Sequence, residues 1–449
     1  TLVEKHNAPG GRSVRAEGFF AADSPVQKQM GIDAPADALF RLAMDYSHWE
    51  INPRIVRVFI NKSGDTVRWL SEKGLQIVKV SPFYRGQAMK TWHQPRGGGA
   101  EIIDVLMKSF TQLGGRFISG VAAKKIIINE ERIAGISAIT ADEKEIHIPA
   151  ACIIIATGGY AGNVDLLRKY CSFYTDNMGS SSPAYAGDGL LMAIEAGAAT
   201  EGLGHLHMLG PRFDGVSKQA GIVCQEPDTI WINTKGKRFT DESTAFNHYE
   251  SVNAILQQPG KISYALFDRK TVERITTQGP IKLREGVFYG VTGKEMTDLQ
   301  QELMRQTDKG AVGTSESLDG IALWTGIDPN ILQRTIDTYN ECCTTGYDEY
   351  FLKDPAYLSA IDTPPYYAMR CRATIVGTIG GIKINERMEV LDTKHDPIPG
   401  LYAAGTDAGG WEPHTYNVRL SGSTLGFPLN SGRIAGEHAA QFVTGRAAA

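Results

Sequence analysis

The sequence lacks the cysteine spacing that metal, haem and disulfide sites require. Its 449 residues include six cysteines, which form no CxxC pair, no CxxCH motif and no regular spacing. This pattern argues against iron–sulfur ligation, haem attachment and a disulfide framework within the chain. We therefore predict no metal site.

The sequence also lacks an excess of positive charge and a long apolar run. A formal net charge of −4 provides no basic field for a phosphate backbone, so we expect no nucleic-acid partner. No apolar run is long enough to cross a bilayer, so we expect no membrane span. What is present is 42% apolar residues, 21% charged residues and 49 glycines, a composition typical of an α/β protein with many tight turns. The length suggests two domains.

A third absence concerns the first residues of the chain. Thr1 to Glu4 have the pattern of the end of a strand followed by an acidic residue, where a dinucleotide-binding βαβ unit contacts a ribose. The GxGxxG turn that precedes such a strand is not in the sequence. We expect this first βα unit upstream of Thr1, together with any export signal or electron-transfer domain, so the compartment depends on that part.

The most informative stretch lies at residues 400–440. An apolar run ends at Ala404-Gly405, a glycine-rich loop follows, and a helix begins near Ser423. A helix N-terminus offers partial positive charge and amide groups to an electron-rich ring. The order GLYAAG, Arg419, GRIAG resembles the C-terminal flavin segment of the fumarate reductase and succinate dehydrogenase flavoproteins. The resemblance implies an FAD-dependent oxidoreductase whose α/β, Rossmann-like FAD-binding domain carries an inserted α+β capping domain.

The chain divides where its pattern changes. The apolar run at residues 152–156 ends in Thr157-Gly158-Gly159, as a buried parallel strand that delivers a loop to a ligand would, and the family has ATGG here. From His205 to about Gly377 the sequence carries charged helical stretches and no such runs. We predict a flavin domain formed by residues 1–204 and 378–449, and a capping domain formed by residues 205–377.

Apolar periodicity predicts the main elements of both domains. Residues 32–75 have the pattern of two amphipathic helices, the second running from Arg54 to Leu75. Residues 101–113 predict another helix, and residues 328–339 predict a helix in the cap. Residues 117–128 and 135–149 alternate and predict strands of a small antiparallel sheet.

Several short motifs are expected to hold the cofactor. The glycine-bounded loop after Glu4 lies along the pyrophosphate and flavin in the resembled family, although alone it would equally fit a surface loop. Asp188, in a GDG segment, fits both a cofactor contact and an acidic first residue of a helix. The resemblance implies FAD contacts at Glu4, Lys5, Gly10, Gly11, Ser13, Gly18, Val121, Ala156, Thr157, Gly158, Asp188, Gly405, Arg419, Ser423 and Leu425.

Two details refine the cofactor prediction. Some relatives attach the flavin through a His in the loop after Gly10, where this chain has Val14 and Arg15. We therefore expect non-covalent FAD. His93 is expected to be a structural histidine, with contact to the substrate or the ring as the alternative.

The catalytic residues of the fumarate reductases are only partly present. Arg419 matches the family's substrate-binding arginine, because a planar guanidinium suits a carboxylate or an enone oxygen, although a structural role in the loop is the alternative. Gly377 stands where the family has a cap His, and Phe246 where it has a proton-donating Arg. His205 and His207 are displaced from the family's His-Pro-Thr element. A dicarboxylate clamp would lose much of its charge, so we do not expect fumarate as the substrate.

Neutral proton donors remain near these positions. The candidates are Tyr249, His248, Tyr416 and His414. A phenol or an imidazole acts as a general acid when neighbours adjust its pKa. Nearby Trp411, Phe246 and Phe427 suggest a larger and less charged pocket, although aromatic residues are also common in cores.

These observations favour reduction of an activated C=C bond in an unsaturated acid or ketone. Hydride would come from flavin N5 and the proton from a cap residue, with Tyr249 first and with Arg419 polarising the substrate oxygen. One alternative is a dehydrogenase that introduces a C=C bond next to a carbonyl, as ketosteroid dehydrogenases do. Another is a flavin module that only relays electrons. We expect a small unsaturated substrate and an external electron donor, a haem or FMN domain or protein that this chain does not encode.

Overall fold

The computed structural model describes residues 1–84, 87, 89–130, 132–182, 184–213, 215–284, 296 and 298–445. The helices are α1 (Pro25–Gln29), α2 (Ala36–Tyr46), α3 (Pro53–Glu72), α4 (Gly98–Gln112), α5 (Val164–Tyr170), α6 (Asp188–Glu195), α7 (Lys218–Gly221), α8 (His248–Leu256), α9 (Arg269–Gln278), α10 (Ile281–Arg284), α11 (Leu299–Asp308), α12 (Leu318–Thr325), α13 (Pro329–Thr345) and α14 (Ser423–Thr444). Among the helices of these ranges, none has both the length and the apolar composition that spanning a bilayer requires.

The strands are mostly short. They are β1 (Leu2–Val3), β2 (Phe19–Phe20), β3 (Ile77–Ser81), β4 (Trp92–Pro95), β5 (Phe117–Ile118), β6 (Val121–Asn129), β7 (Arg132–Thr140), β8 (Glu145–Pro149), β9 (Ile153–Ile155), β10 (Gly179–Ser180), β11 (Thr200–Glu201), β12 (Leu206–Phe213), β13 (Ile230–Ile232), β14 (Ile262–Asp268), β15 (Val312–Ser315), β16 (Tyr366–Thr378), β17 (Gly381–Ile382), β18 (Glu389–Leu391) and β19 (Pro397–Ala403). The chain combines helices and strands, as predicted for an α/β protein.

Strands from distant parts of the sequence share a sheet. β9 pairs in parallel with β19, so that Ile153 lies opposite Leu401, and β18 adds an antiparallel strand. Leu401 and Ile155 belong to the main apolar core. Because parallel strands end at the same edge of a sheet, the loops that follow β9 and β19 lie side by side. This pairing brings the ATGG and GLYAAG segments together.

Residues 32–75 form two helices separated by a turn. The Asn52 side chain accepts hydrogen bonds from first-turn amides of α3, and Pro53 occupies the first helical position. Between the helices, His48 and Trp49 adopt left-handed backbone angles, with φ of 49° and 62°. A right-handed helix cannot continue through such residues. The sequence pattern predicted two helices here, the second from Arg54 to Leu75, and the structure confirms both.

The predicted antiparallel sheet is present with finer divisions. β6, β7 and β8 form a three-stranded meander. The predicted strand over 117–128 is split into β5 and β6, and the one over 135–149 into β7 and β8. β5 pairs in parallel with β1. A further sheet has the order β2, β4, β3.

The predicted capping segment is built around β16. This strand pairs in an antiparallel manner with β12, β14 and β15, and in parallel with β10. Its side chains alternate between two apolar clusters: Met369 packs with residues of α9 and α11, and Ala368 packs with residues of α12 and α13. The sheet is therefore covered by helices on both faces. The predicted cap helix extends to Thr345, where Gly346 ends it.

The two predicted domains share structure at their boundaries. β10 precedes residue 205 in the sequence, yet it is an edge strand of the sheet that contains β16. Leu206 and Ile375, from the cap segment, lie in the same apolar core as Ile155 and Leu401. The division at residues 204 and 378 stays a prediction.

Candidate flavin and substrate site

Predicted cofactor residues gather at the end of β1. The backbone amide of Val121 donates a hydrogen bond to the carbonyl oxygen of Glu4 at 3.0 Å. The Glu4 carboxylate accepts a hydrogen bond from the backbone amide of His6 at 2.8 Å. Lys5 Nζ lies 2.8 Å from Asp188 Oδ2. This ion pair connects the end of β1 to the start of α6. Four predicted cofactor residues are therefore neighbours: Glu4, Lys5, Val121 and Asp188.

The turn that follows β1 exposes bare backbone. Gly10 and Gly11 have φ of 98° and 49°. A Cβ atom on Gly99, at the start of α4, would lie 1.7 Å from the carbonyl oxygen of Ser13. A Cβ atom on Gly18 would lie 2.5 Å from a carbonyl oxygen of β4. Only glycine fits these positions, as in loops that bring backbone close to a cofactor.

Asp407 joins the loops after β9 and β19. Its Oδ1 accepts hydrogen bonds from Thr157 Oγ1 at 3.0 Å and from the Gly159 amide at 3.1 Å, and its Oδ2 accepts one from the Gly158 amide at 2.8 Å. Burial raises the pKa of Asp407, although these hydrogen bonds favour its charged form. These hydrogen bonds hold the two loops together. The loops contain the predicted cofactor residues Ala156, Thr157, Gly158 and Gly405.

The N-terminus of α14 lies against β2. Gly422 precedes the helix with φ of 92°, and a Cβ atom there would lie 2.6 Å from the backbone of Phe19. In the described chain no side chain caps the first turn, which contains Ser423 and Leu425. The partial positive charge of a 22-residue helix therefore remains at this end.

These features fit FAD. Glycine-lined backbone and a helix N-terminus suit a pyrophosphate and a flavin ring. A further sign is buried Asn417, whose Nδ2 has no hydrogen-bond partner among the described residues. A buried N–H group without a hydrogen-bond acceptor destabilises the fold, and a carbonyl oxygen of the flavin is a suitable acceptor for it. The residues that would hold FAD are those predicted on these loops, and the bound group would supply hydride transfer.

Tyr249, Tyr416 and His207 form a buried aromatic stack where β12, α8 and the loop before α14 meet. The ring centroids of His207 and Tyr416 are 4.5 Å apart, and those of Tyr249 and Tyr416 are 4.6 Å apart. His207 Nε2 lies 3.2 Å from the Tyr249 hydroxyl. Burial lowers the pKa of His207 to about 3, so the imidazole is neutral. Burial, together with Tyr416, raises the pKa of Tyr249, so its phenol is protonated at neutral pH.

The stack is connected to the N-terminus of α14. The Tyr416 hydroxyl accepts a hydrogen bond from the Gly422 amide at 3.2 Å. Two of the predicted proton donors, Tyr249 and Tyr416, are thus beside the helix end that fits the flavin. In the tautomer that carries a proton on Nε2, His207 can stabilise the oxygen of Tyr249 after the phenol has given up its proton.

Arg419 borders this stack. Its guanidinium carbon lies 5.8 Å from the ring centroid of Tyr84, which packs in the same apolar cluster as Tyr249 and Tyr416. The Arg419 amide donates to Asn417 Oδ1 at 3.0 Å, which fixes the backbone. The side chain is exposed. A positive charge on an exposed side chain with a fixed backbone is suited to meet an oxygen of a bound molecule.

The other two proposed donors lie elsewhere. His414 is on the surface, with Nδ1 at 3.3 Å from Glu50 Oε2. Burial, reinforced by the charges of Lys282 and Arg212, lowers the pKa of His248 in a separate buried region. His248 and Tyr249 diverge because consecutive helical residues point about 100° apart. His93 is structural: its ring nitrogens lie 2.7 Å from Ser24 Oγ and 2.9 Å from the Thr91 carbonyl oxygen.

Sequence reasoning missed three polar residues of this region. His207 was noted only as displaced from a family motif, and the structure makes it the partner of Tyr249. Asp407 and Glu412 received no role. The available signal was that they are the acidic residues between Gly405 and Arg419, in a loop otherwise without carboxylates.

The fold and the site define an FAD-dependent oxidoreductase, and comparison with known proteins identifies the family. The FAD binding domain family matches residues 1–425, and the chain belongs to that family. Vinyl phenol reductase of Lactiplantibacillus plantarum is 31% identical over 455 aligned residues, which cover 98% of this chain and 91% of that protein.

Two solved structures share this fold. The open conformation of a flavocytochrome c3 fumarate reductase has a TM-score of 0.75 and 25% identity, over 98% of this chain and 73% of that one. A 3-ketosteroid Δ1-dehydrogenase from Sterolibacterium denitrificans has a TM-score of 0.79 at 18% identity, over 98% of this chain and 94% of that one, and shows the fold alone. The predicted family, the α/β flavoprotein fold and the FAD cofactor are confirmed.

Proposed function

We propose that this flavoenzyme reduces a C=C bond conjugated to an aromatic ring or to a carbonyl group. The observation that carries the proposal is the stack of Tyr249, Tyr416 and His207 beside the N-terminus of α14. It places a protonated phenol beside the helix end that fits the flavin. The vinyl phenol reductase relative supports an aromatic substrate.

Each side chain of the site has a distinct task. Reduction of an alkene adds a hydride, which reduced FAD supplies when bound, and a proton. Arg419 meets the oxygen of the substrate and stabilises the negative charge that develops there. Tyr249 gives its proton to the carbon that does not receive the hydride, and His207 hydrogen-bonds the resulting phenolate. Tyr416 packs against both rings and holds them in place.

Fumarate fits this site poorly. Gly377, which stands where the resembled family has a His, lies opposite His207 in the pairing of β12 with β16. Phe246, which stands where the family has an Arg, packs against Tyr357 with ring centroids 5.5 Å apart. Aromatic and neutral groups therefore replace part of the positive charge that a dicarboxylate needs, so we propose a less charged and bulkier substrate.

A substrate panel tests this proposal. The FAD-loaded protein, supplied with chemically reduced methyl viologen, is offered 4-vinylphenol, cyclohexenone and fumarate, and viologen oxidation is followed. We expect 4-vinylphenol or the enone to be reduced much faster than fumarate. Fumarate reduction at an equal or higher rate would contradict the substrate class.

We also propose that FAD is bound without a covalent link and receives electrons from an external donor, a haem or FMN domain or protein. Val14 and Arg15, in the loop where some relatives attach flavin, offer no nucleophile at neutral pH. Acid precipitation of the loaded protein should release the yellow colour into the supernatant. Flavin that stays in the pellet would contradict the non-covalent link.

A further inference from the structure

The loop between β19 and α14 contains a buried carboxyl group that the mechanism above does not use. Glu412 is 2% exposed. Its Oε1 accepts a hydrogen bond from Ser423 Oγ at 2.7 Å, and its Oε2 accepts one from the Asn417 amide at 2.9 Å. Both partners are neutral, so they compensate a buried negative charge only in part.

The position of Glu412 couples it to the helix end that fits the flavin. Ser423 is the first residue of α14, and its hydroxyl bonds directly to the carboxyl group. A carboxylate at this point cancels part of the positive charge of the helix N-terminus, whereas a neutral carboxyl group leaves that charge in place. The protonation of Glu412 therefore changes how well the helix end stabilises negative charge on a bound group.

Other ionisable groups also face Glu412. They are Tyr46 from α2, Tyr249 from α8, Tyr416 from its own loop, and His205, whose ring bonds to the backbone of Glu412. Burial raises the pKa of Tyr46 and of Tyr416 to about 12, so both phenols are neutral at pH 7. Burial also lowers the pKa of His205. Glu412 is the member of this group whose pKa burial brings to about 7.

We propose that Glu412 is a redox-linked proton site, which takes up one proton when the bound FAD is reduced and releases it when the FAD is reoxidised. On reduction, the bound FAD takes two electrons from the external donor and one proton, which together make up the hydride it later transfers, and one additional proton from solvent converts the Glu412 carboxylate to the acid. On reoxidation that O–H bond breaks and the proton returns to solvent. Glu412 is a positioning residue here, because it acts through Ser423 and the first turn of α14.

The dependence of the FAD reduction potential on pH tests this proposal. One additional proton for two electrons steepens the fall of the potential by about 30 mV for each tenfold change in proton concentration. We expect the native holoenzyme to show this additional slope between about pH 7 and 8.5, and Glu412→Gln to lack it. Glu50→Gln, which changes the exposed partner of His414, serves as the matched control and should keep the native slope.

A second measurement needs no variant of Glu412. The infrared difference spectrum between reduced and oxidised native holoenzyme at pH 8 should show a protonated carboxyl band that appears on reduction. Equal slopes for the native protein and Glu412→Gln, or no carboxyl band on reduction, would overturn the proposal. Neither measurement uses an alkene, so the outcome is independent of the proposed substrate.

Discussion

The phenol of Tyr249 is prepared for proton donation by its two ring neighbours. Burial and Tyr416 raise its pKa, which keeps the proton in place until the substrate is reduced. His207, neutral because burial lowers its pKa to about 3, lies within hydrogen-bond distance of the hydroxyl. A donor that holds its proton at rest and is stabilised after losing it is what general acid catalysis requires.

Replacing Tyr249 by Phe tests this role. We expect the variant to lose alkene reduction by roughly a hundredfold to ten-thousandfold, the usual effect of removing a general acid. Its FAD content should stay normal, because the ring still packs. Rates with 4-vinylphenol and reduced viologen measure the effect. Tyr264→Phe, which removes a cap phenol bonded to Thr325, is the matched control. Unchanged turnover in Tyr249→Phe would show that another group delivers the proton.

The role of Arg419 in stabilising charge on the substrate oxygen can also be tested by substitution. Its charge borders the stack while its backbone is fixed by Asn417, so removal of the side chain should leave the loop folded. We expect Arg419→Ala to lower the rate of reduction by a factor of about a hundred or more, because a positive charge near the developing oxyanion is lost. Arg54→Ala, an exposed arginine on α3, should retain the native rate. A purely structural Arg419 would instead reveal itself by loss of bound FAD.

At the scale of elements, the site depends on close backbone contacts between segments that are far apart in sequence. α14 approaches β2 at Gly422, and the loops after β9 and β19 meet through Asp407. A side chain at Gly422 would separate α14 from β2 and remove the bare backbone that fits the cofactor. The helix end and the glycine loops therefore act as one unit.

Two glycines near the N-terminal half of α14 provide a matched test of this unit. Gly422→Ala places a Cβ atom 2.6 Å from the Phe19 backbone at φ of 92°, so we expect a loss of about 1–2 kcal/mol or more and weaker FAD binding. Gly432, inside the helix, has open space at its Cβ position. Gly432→Ala should raise stability by about 0.5–1 kcal/mol. Thermal unfolding and FAD titration measure both, and equal behaviour of the two variants would contradict the close contact.

At the scale of the whole molecule, the aromatic stack lies where the sheet containing β16 meets the flavin-binding elements. His207 belongs to β12 of that sheet, whereas Tyr416 belongs to the loop before α14. Residues of both parts also share the main apolar core. The fold therefore buries polar groups at the junction, and their ionisation contributes to global stability.

His93, buried in β4, allows the effect of a buried ionisable group on stability to be measured. Burial lowers its pKa to about 4 from an ordinary value of 6.5, so its contribution to stability is present above pH 6.5 and is lost as the pH falls towards 4. When the pH is lowered from 7.5 to 5, the free energy of unfolding of the native protein should fall by about 2 kcal/mol more than that of His93→Gln. Urea unfolding at both values measures the difference. His147→Gln, an exposed histidine, should behave like the native chain, and a native-like fall in His93→Gln would contradict the assignment.

The glycine loops that we propose to hold FAD were predictable because their chemistry is local. Glycines followed by a helix, or a strand followed by glycines, bind a dinucleotide through their own backbone, and the residues that do so are adjacent in sequence. The sequence by itself therefore determined the family, the FAD cofactor and the positions of these loops.

Only the tertiary structure decided which side chains converge. The pairing of β9 with β19 placed Asp407 against Gly158, and the meeting of β12, α8 and the loop before α14 placed His207 beside Tyr249. The same fold places His248 and His414 away from the aromatic stack. Such convergence depends on contacts between residues distant in sequence and on burial, which sets their pKa values. Neither is encoded in the local pattern of residue types.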